Sequence, residues 1–287
     1  MAQVMKGSDV VKAETPGIEE QVGVLKSKGI TPQLAIIRVG EKADDIYYEN
    51  SAKKRLEGLG MICRNVALPE DISQQAFDAA FDGMNEDPGV HGILLMRPLP
   101  KTLSDSHARE TIDPAKDVDG MGLLSEAGVY EGKEQAFAPC TPGAVMLMLS
   151  HYAIEPKGKE AVIIGRSMVV GKPLAMLMLK ANATVTLCHT RTLDLAGVCR
   201  RADILVAAAG KPRVVDGSFI KPGAVVIDVG INVDEAGNVC GDVDHAQAEK
   251  ICSAITPVPG GVGTVTTLVL AKNTLEAAKR HLAKPER

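Results

Sequence analysis

Three stretches of the chain gather groups that could do chemistry. Residues 44–55, DDIYYENSAKKR, set two tyrosines ahead of three cations. On a helix Tyr47 shares a face with Ser51 and Lys54, and Tyr48 shares one with Ala52 and Arg55. A tyrosine and a lysine on one face can hold a substrate and move a proton. The same spacing also describes a solvated basic face beside core aromatics. Residues 116–120, KDVDG, place Asp117 and Asp119 beside a glycine. Either these carboxylates cap a turn, or one is aimed into an interdomain cleft to pair with an N–H-rich ring. Residues 256–263, TPVPGGVG, crowd two prolines and three glycines together. The bare backbone around Pro259, Gly260 and Gly261 permits close ligand approach, and we read the run as a ligand-lining loop.

A fourth stretch suits an anion. Residues 159–173, KEAVIIGRSMVVGKP, read as a buried strand, a tight turn and a helix start. Gly165 permits the turn, Arg166, Ser167 and Gly171 follow, and a helix N-terminus offers free N–H groups to a phosphate. Ser167 stands where the usual G-x-G-x-x-G pattern has its second glycine. The next strand, residues 183–188, ends in His189-Thr190-Arg191-Thr192. An NAD enzyme carries an acidic residue there for the ribose 2′-hydroxyl; hydroxyls and a cation suit the 2′-phosphate of NADP. Asp194 lies near enough to keep NAD open. The pieces Gly210-Lys211-Pro212 and Gly230-Ile231-Asn232 also follow strands, where open α/β sheets bind ligands.

The elements that must position these groups alternate. Strands are predicted over 34–39, 61–68, 90–96, 161–164, 183–188, 204–208 and 224–228, with a short one near Ile255. Helices are predicted over 8–29 with a break or restart at Pro16, and over 43–59, 71–84, 104–111, 143–152 and 263–282. Such alternation predicts parallel pairing. Residues 113–142 break the rhythm as a glycine-rich loop, and a domain boundary belongs there. The final helix could pack back on the first domain.

Composition limits the function classes. A chain of 287 residues suits one large or two ordinary domains. A net charge of −4 with no long basic run argues against nucleic-acid or anionic-membrane partners, and the absence of Trp argues against base stacking. The N-terminus lacks the apolar run of a signal peptide, and nothing approaches a membrane span. Six scattered cysteines without a C-x-x-C fit reduced thiols in a cytoplasmic protein, not a disulfide or metal framework.

Assembled in order, these motifs resemble the methylenetetrahydrofolate dehydrogenase/methenyltetrahydrofolate cyclohydrolase family over almost the whole chain. The likeness rests on residues 114–120, Pro139-Cys140-Thr141-Pro142, Gly165-Arg166-Ser167 with Val170-Gly171-Lys172-Pro173, Thr184-Val185-Thr186 with Cys188-His189, and residues 256–263. It implies a homodimer of α/β chains, each with two domains flanking a cleft. Residues 1–142 would form a parallel-sheet folate-binding domain, to which a C-terminal helix of about 268–287 returns. Residues 143–267 would form a Rossmann-like NADP-binding domain. By the likeness, Gly165, Arg166, Ser167, Thr190 and Ile231 hold NADP, with Gly171 and His189 in the same motifs. Asp119 anchors the pterin and Tyr48 stacks on the folate, with Met96, Pro259, Gly260 and Gly261 completing the substrate set.

Three departures bear on the chemistry. The family's catalytic lysine follows that tyrosine by four residues, which here is Ala52; the nearby Lys54 is six residues on. Met96 replaces the glutamine that works with the lysine, and Thr264-Val265 stands where Pro-Met is usual. Hydride transfer needs alignment and no general base. Hydrolysis of the methenyl cation needs a water deprotonated, with Lys54 as the substitute base beside Tyr48 and Asp119. The expected function is therefore oxidation of methylenetetrahydrofolate with NADP followed by hydrolysis. A dehydrogenase with weak or no hydrolysis stands as the alternative. A shikimate-dehydrogenase-like oxidoreductase and a non-catalytic NADP-binding protein are further ones.

Overall fold

The computed structural model describes residues 2–283. In chain order the elements are β1 (Gln3–Val4), α1 (Gly7–Ser27), β2 (Gln33–Val39), α2 (Ala43–Gly58), β3 (Ile62–Leu68), α3 (Gln74–Glu86), β4 (Gly92–Leu95), α4 (Ser106–Thr111), α5 (Leu123–Tyr130) and α6 (Cys140–His151). There follow β5 (Glu160–Ile164), α7 (Gly171–Lys180), β6 (Thr184–Cys188), α8 (Leu195–Cys199), β7 (Ile204–Ala207), β8 (Val225–Asp228), β9 (Asn232–Val233), β10 (Val239–Cys240), α9 (His245–Ala248), β11 (Ala254–Ile255) and α10 (Val262–Ala283). They form two compact units, one of residues 14–140 with the chain from Thr267 onward, the other of residues up to Ala13 with 141–266.

The first unit is built on a parallel three-stranded sheet in the order β3-β2-β4. Its central strand, β2, is covered on both faces, which explains the apolar run Leu34-Ala35-Ile36-Ile37. Phe77 and Phe81 of α3 lie fully buried against Ala35, Ile37, Ile93 and Leu95. Ser73 caps that helix by accepting the Ala76 N–H. The later part of α10 belongs to this unit: Asn273 donates to the Val118 carbonyl, Lys272 pairs with Glu14, and Arg280 covers the Phe137 ring.

The second unit carries a six-stranded sheet in the order β1-β11-β8-β7-β5-β6, parallel throughout. Val162, Leu205 and Val226 on three neighbouring strands form one apolar layer with Ile164, Ala207 and Ile255. The turns after β5, β6, β7 and β8 all emerge at the carboxyl edge of this sheet, where doubly wound folds take their ligands.

The structure departs from the sequence expectations in four places. Helix α1 runs unbroken through Pro16, because Ile18, Val22 and Leu25 bury one continuous face and offset the lost hydrogen bond. Residues 123–130, expected as loop, form α5. Gln3–Val4 pair with Ala254–Ile255, so the first thirteen residues join the six-stranded unit and not the folate-binding domain proposed for residues 1–142. A small antiparallel hairpin, β9–β10, lies where no strand was expected. Among the described residues no helix is long and apolar enough to cross a membrane.

In the first unit His91 is buried, and its Nδ1 accepts the Gln33 N–H at 3.2 Å. Burial, then the neighbouring His281 and Lys116, push its pKa from 6.5 down to about 4. A histidine held neutral in the fold but free to protonate when unfolded contributes stability that is complete above pH 6.5 and lost as the pH falls toward 4. Relative to His91→Asn, the wild-type chain should lose roughly 3 kcal/mol between pH 7 and 4, measured by urea unfolding at stepped pH.

Candidate functional site

The strongest anion cradle lies between β5 and α7. The Gly165 N–H donates to the Cys188 carbonyl, and Gly165 turns with φ +134°. A Cβ there would stand 2.4 Å from the Ala208 carbonyl oxygen, and one on Gly171 would stand 2.0 Å from the Gly165 oxygen. Only glycine fits either position. Ser167 Oγ accepts the Val170 N–H at 3.0 Å and ties the loop to the helix start. Among the described residues no acceptor takes the N–H groups of Arg166, Ser167, Met168 and Val169. Successive free N–H groups at a helix start suit a phosphate, so the residues present fit a dinucleotide.

The neighbouring loop follows β6, whose Cys188 is in register with Ile164. It is self-contained: the His189 N–H donates to Thr192 Oγ1, and the Arg191 N–H donates to His189 Nδ1. These bonds leave Thr190 and Arg191 exposed. Asp194, the residue that kept NAD open, adopts φ 45° as the N-cap of α8 and accepts the Gly197 N–H at 3.1 Å. Its carboxylate serves the helix. Ile231, 70% exposed, follows β8 on the same sheet. Pro259, Gly260 and Gly261 also belong to this unit; Gly260 has φ +100°, and its carbonyl accepts the Gly7 N–H at 2.8 Å.

In the three-stranded unit residues 116–120 play different parts. Lys116 donates to the carbonyls of Asn85 and Asp87, and the fully buried Asp117 accepts the N–H groups of Met121 and Gly122. Those two are turn builders. Asp119 is only partly buried and accepts the Cys140 N–H at 3.0 Å. Desolvation raises its carboxyl pKa above the ordinary value, the Cys140 hydrogen bonds oppose the rise, and Asp117 adds to it. Burial and the adjacent Asp119 push the Cys140 thiol far up, so it is an inert neighbour.

Helix α2 is continuous, which fixes the faces of its residues. Ala52 is fully buried, Tyr48 partly so, and Tyr47 is 79% exposed. Lys54 sits about 120° around the helix from Tyr48 and about 160° from Ala52. It lines a different space, a cavity of about 410 Å³ between α1 and α2 with Thr15, Glu19, Ser51 and Arg55. The structure therefore does not bring Lys54 to the Tyr48 face as the substitute base. Met96 is buried at the end of β4, its N–H donating to the Ile37 carbonyl.

Two descriptions of one family match the two halves of the chain. The tetrahydrofolate dehydrogenase/cyclohydrolase catalytic domain matches residues 5–119, and the NAD(P)-binding domain of the same family matches residues 139–282. The chain belongs to the tetrahydrofolate dehydrogenase/cyclohydrolase family. It is 50% identical to the bifunctional protein FolD of Alkaliphilus oremlandii, over 97% of this chain and 98% of that one. The bifunctional FolD of Campylobacter jejuni superimposes with a TM-score of 0.95 at 40% identity, covering 98% of this chain and 99% of that one. The Trypanosoma brucei FolD, solved with NADP cofactor and an inhibitor, gives 0.93 at 36% identity, covering 99% of each.

A buried polar cluster whose partners are not apparent from residue spacing lies beneath the Tyr48 helix. Arg38, on the central strand, donates from Nε to Glu49 Oε2 at 2.7 Å and from its guanidinium to the Gly40 carbonyl. Asn65 Nδ2 donates to Glu49 Oε1 at 2.5 Å. Strands β2, β3 and helix α2 are thus joined through one carboxylate that is 6% exposed. A cation inside the apolar run of residues 34–39 was the available signal. Glu49→Ala should cost about 3–5 kcal/mol because it strands a buried guanidinium, while Arg38→Leu with Glu49→Leu should cost less. A double-mutant cycle in urea unfolding measures the difference.

Proposed function

We propose that the chain oxidises 5,10-methylenetetrahydrofolate to 5,10-methenyltetrahydrofolate with NADP and hydrolyses the product to 10-formyltetrahydrofolate. What carries this reading is family membership across both halves at about half identity to a bifunctional relative. Bound NADP would supply the hydride acceptor for the one-carbon bridge. The chain's own residues bind and align. The free N–H groups of residues 166–169 hold phosphate, and Gly165 and Gly171 let it approach. Exposed Thr190 and Arg191, with Asp194 engaged as a cap, support NADP over NAD. Asp119 supports pterin recognition as a half-buried acceptor, and Tyr48 offers its ring for stacking. Met96, Pro259, Gly260 and Gly261 complete the proposed substrate set. A cytoplasmic homodimer is part of the same reading. Six free thiols support the compartment, and exposed Val233 and Val239 on the β9–β10 hairpin support a protein partner.

A second reading is favoured by the α2 geometry: oxidation intact, hydrolysis weak. Water activation needs a general base, and the positions implied for it hold the apolar side chains of Ala52 and Met96. Lys54 faces the α1 cavity instead.

Two assays test these readings. Reduced coenzyme formation, followed with NADP and NAD in parallel, should favour NADP by about tenfold or more, and Arg191→Ala should narrow the gap. No reduced coenzyme from either nucleotide would sink the proposal. Loss of methenyltetrahydrofolate, followed separately, decides between hydrolysis and its absence. Any hydrolysis present should survive Lys54→Ala unchanged.

A further inference from the structure

The carboxyl edge of the six-stranded sheet contains two acidic residues that the motifs above do not use. Asp242 has no exposed surface, and Asp228 is 3% exposed. Asp242 Oδ2 accepts the N–H groups of Ala209 and Gly210 at 2.5 and 3.0 Å, and Oδ1 accepts that of Lys211 at 3.0 Å. Oδ1 also accepts Asn232 Nδ2 at 2.8 Å. Asp228 accepts the N–H groups of Gly230, Asp242 and Val243 at 2.9–3.0 Å. Neither carboxylate is in an ion pair among the described residues.

A connector has no need of two buried carboxylates. Withdrawing charge from water is costly, and these two are repaid only by donors fixed in place. The sequence is shaped to admit them: a Cβ on Gly230 would stand 2.3 Å from Asp242 Oδ1, and one on Gly241 would stand 1.9 Å from Asp228 Oδ2. The result is specific. Three successive N–H groups of the loop after β7 converge on one carboxylate. The loop after β8 is pinned on both sides of Ile231, through Gly230 to Asp228 and through Asn232 to Asp242. Ile231 is thereby held outward at the strand end.

We propose that Asp242, acting with Asp228, is a positioning residue for the coenzyme: it sets the loops after β7 and β8 and aims Ile231 at the bound dinucleotide. This rests on the reading of those loops as coenzyme-holding. An amide at 242 keeps the shape but turns a donor toward the N–H groups, so the loops lose their anchor while the sheet remains.

The test is coenzyme titration of the full chain with steady-state kinetics. Asp242→Asn should raise the Kd and KM for NADP by about tenfold or more, with kcat at saturating coenzyme and the folate KM within about threefold of wild type. Asn232→Ala, which removes one donor and leaves both carboxylates, should raise the NADP Kd by about threefold. Val226→Ala, a buried β8 change that lowers thermal stability, should leave the NADP Kd unmoved. An unchanged Kd in both Asp242→Asn and Asn232→Ala overturns the proposal, as does an equal rise in Val226→Ala. Wild-type chain that binds neither NADP nor NAD overturns the underlying reading as well, and that result is visible without any variant. If Asp242→Asn fails to fold, the Asn232→Ala and Val226→Ala pair decides.

Discussion

A carboxylate cut off from water must find its donors inside the protein, and the six-stranded unit is organised by two that find them mostly in the backbone. Asp242 gathers the N–H groups of Ala209, Gly210 and Lys211, and Asp228 gathers those of Gly230, Asp242 and Val243. Parallel strands end in loops whose N–H groups have no ladder partner. In the loops after β7 and β8 those groups are satisfied from inside the protein, which fixes these loops before any ligand arrives. Asp228 bears the cost: burial pushes its carboxyl up to about 6, with Asp242 adding to the rise, although three N–H groups pull the other way.

In the three-stranded unit a buried carboxylate is satisfied by side chains instead. Glu49 joins β2, β3 and α2 through Arg38 and Asn65. Register places Met96 beside Arg38 on the sheet, since Ile37 pairs with Leu95. An arginine cannot give up its proton in a protein, so this guanidinium offers charge and hydrogen bonds but no base. Ala52, one helical turn on from Tyr48, and Met96 are both buried and apolar.

Much of this was legible in the residues. The strand–glycine–helix signal at 161–173, the cation-and-hydroxyl loop at 189–192 and the parallel alternation all reflect local rules: period, caps and glycine conformations. The pairing of Gln3–Val4 with Ala254–Ile255 was not legible, because two residues carry no periodic signal. Nor was the division of labour among Lys116, Asp117 and Asp119, which depends on where distant backbone atoms of Asn85 and Cys140 fall. The buried roles of Arg38, Glu49, Asp228 and Asp242 were hidden for the same reason. Type and spacing show that a charge sits in an apolar run, but only the fold shows what neutralises it.

The pairing of β1 has a practical consequence. Two residues from the start of the chain lie alongside β11 and supply the outermost ladder of the six-stranded sheet on that side. Shortening the chain past Val4 would bare the β11 flank, and an uncovered strand flank is a template for another molecule's backbone.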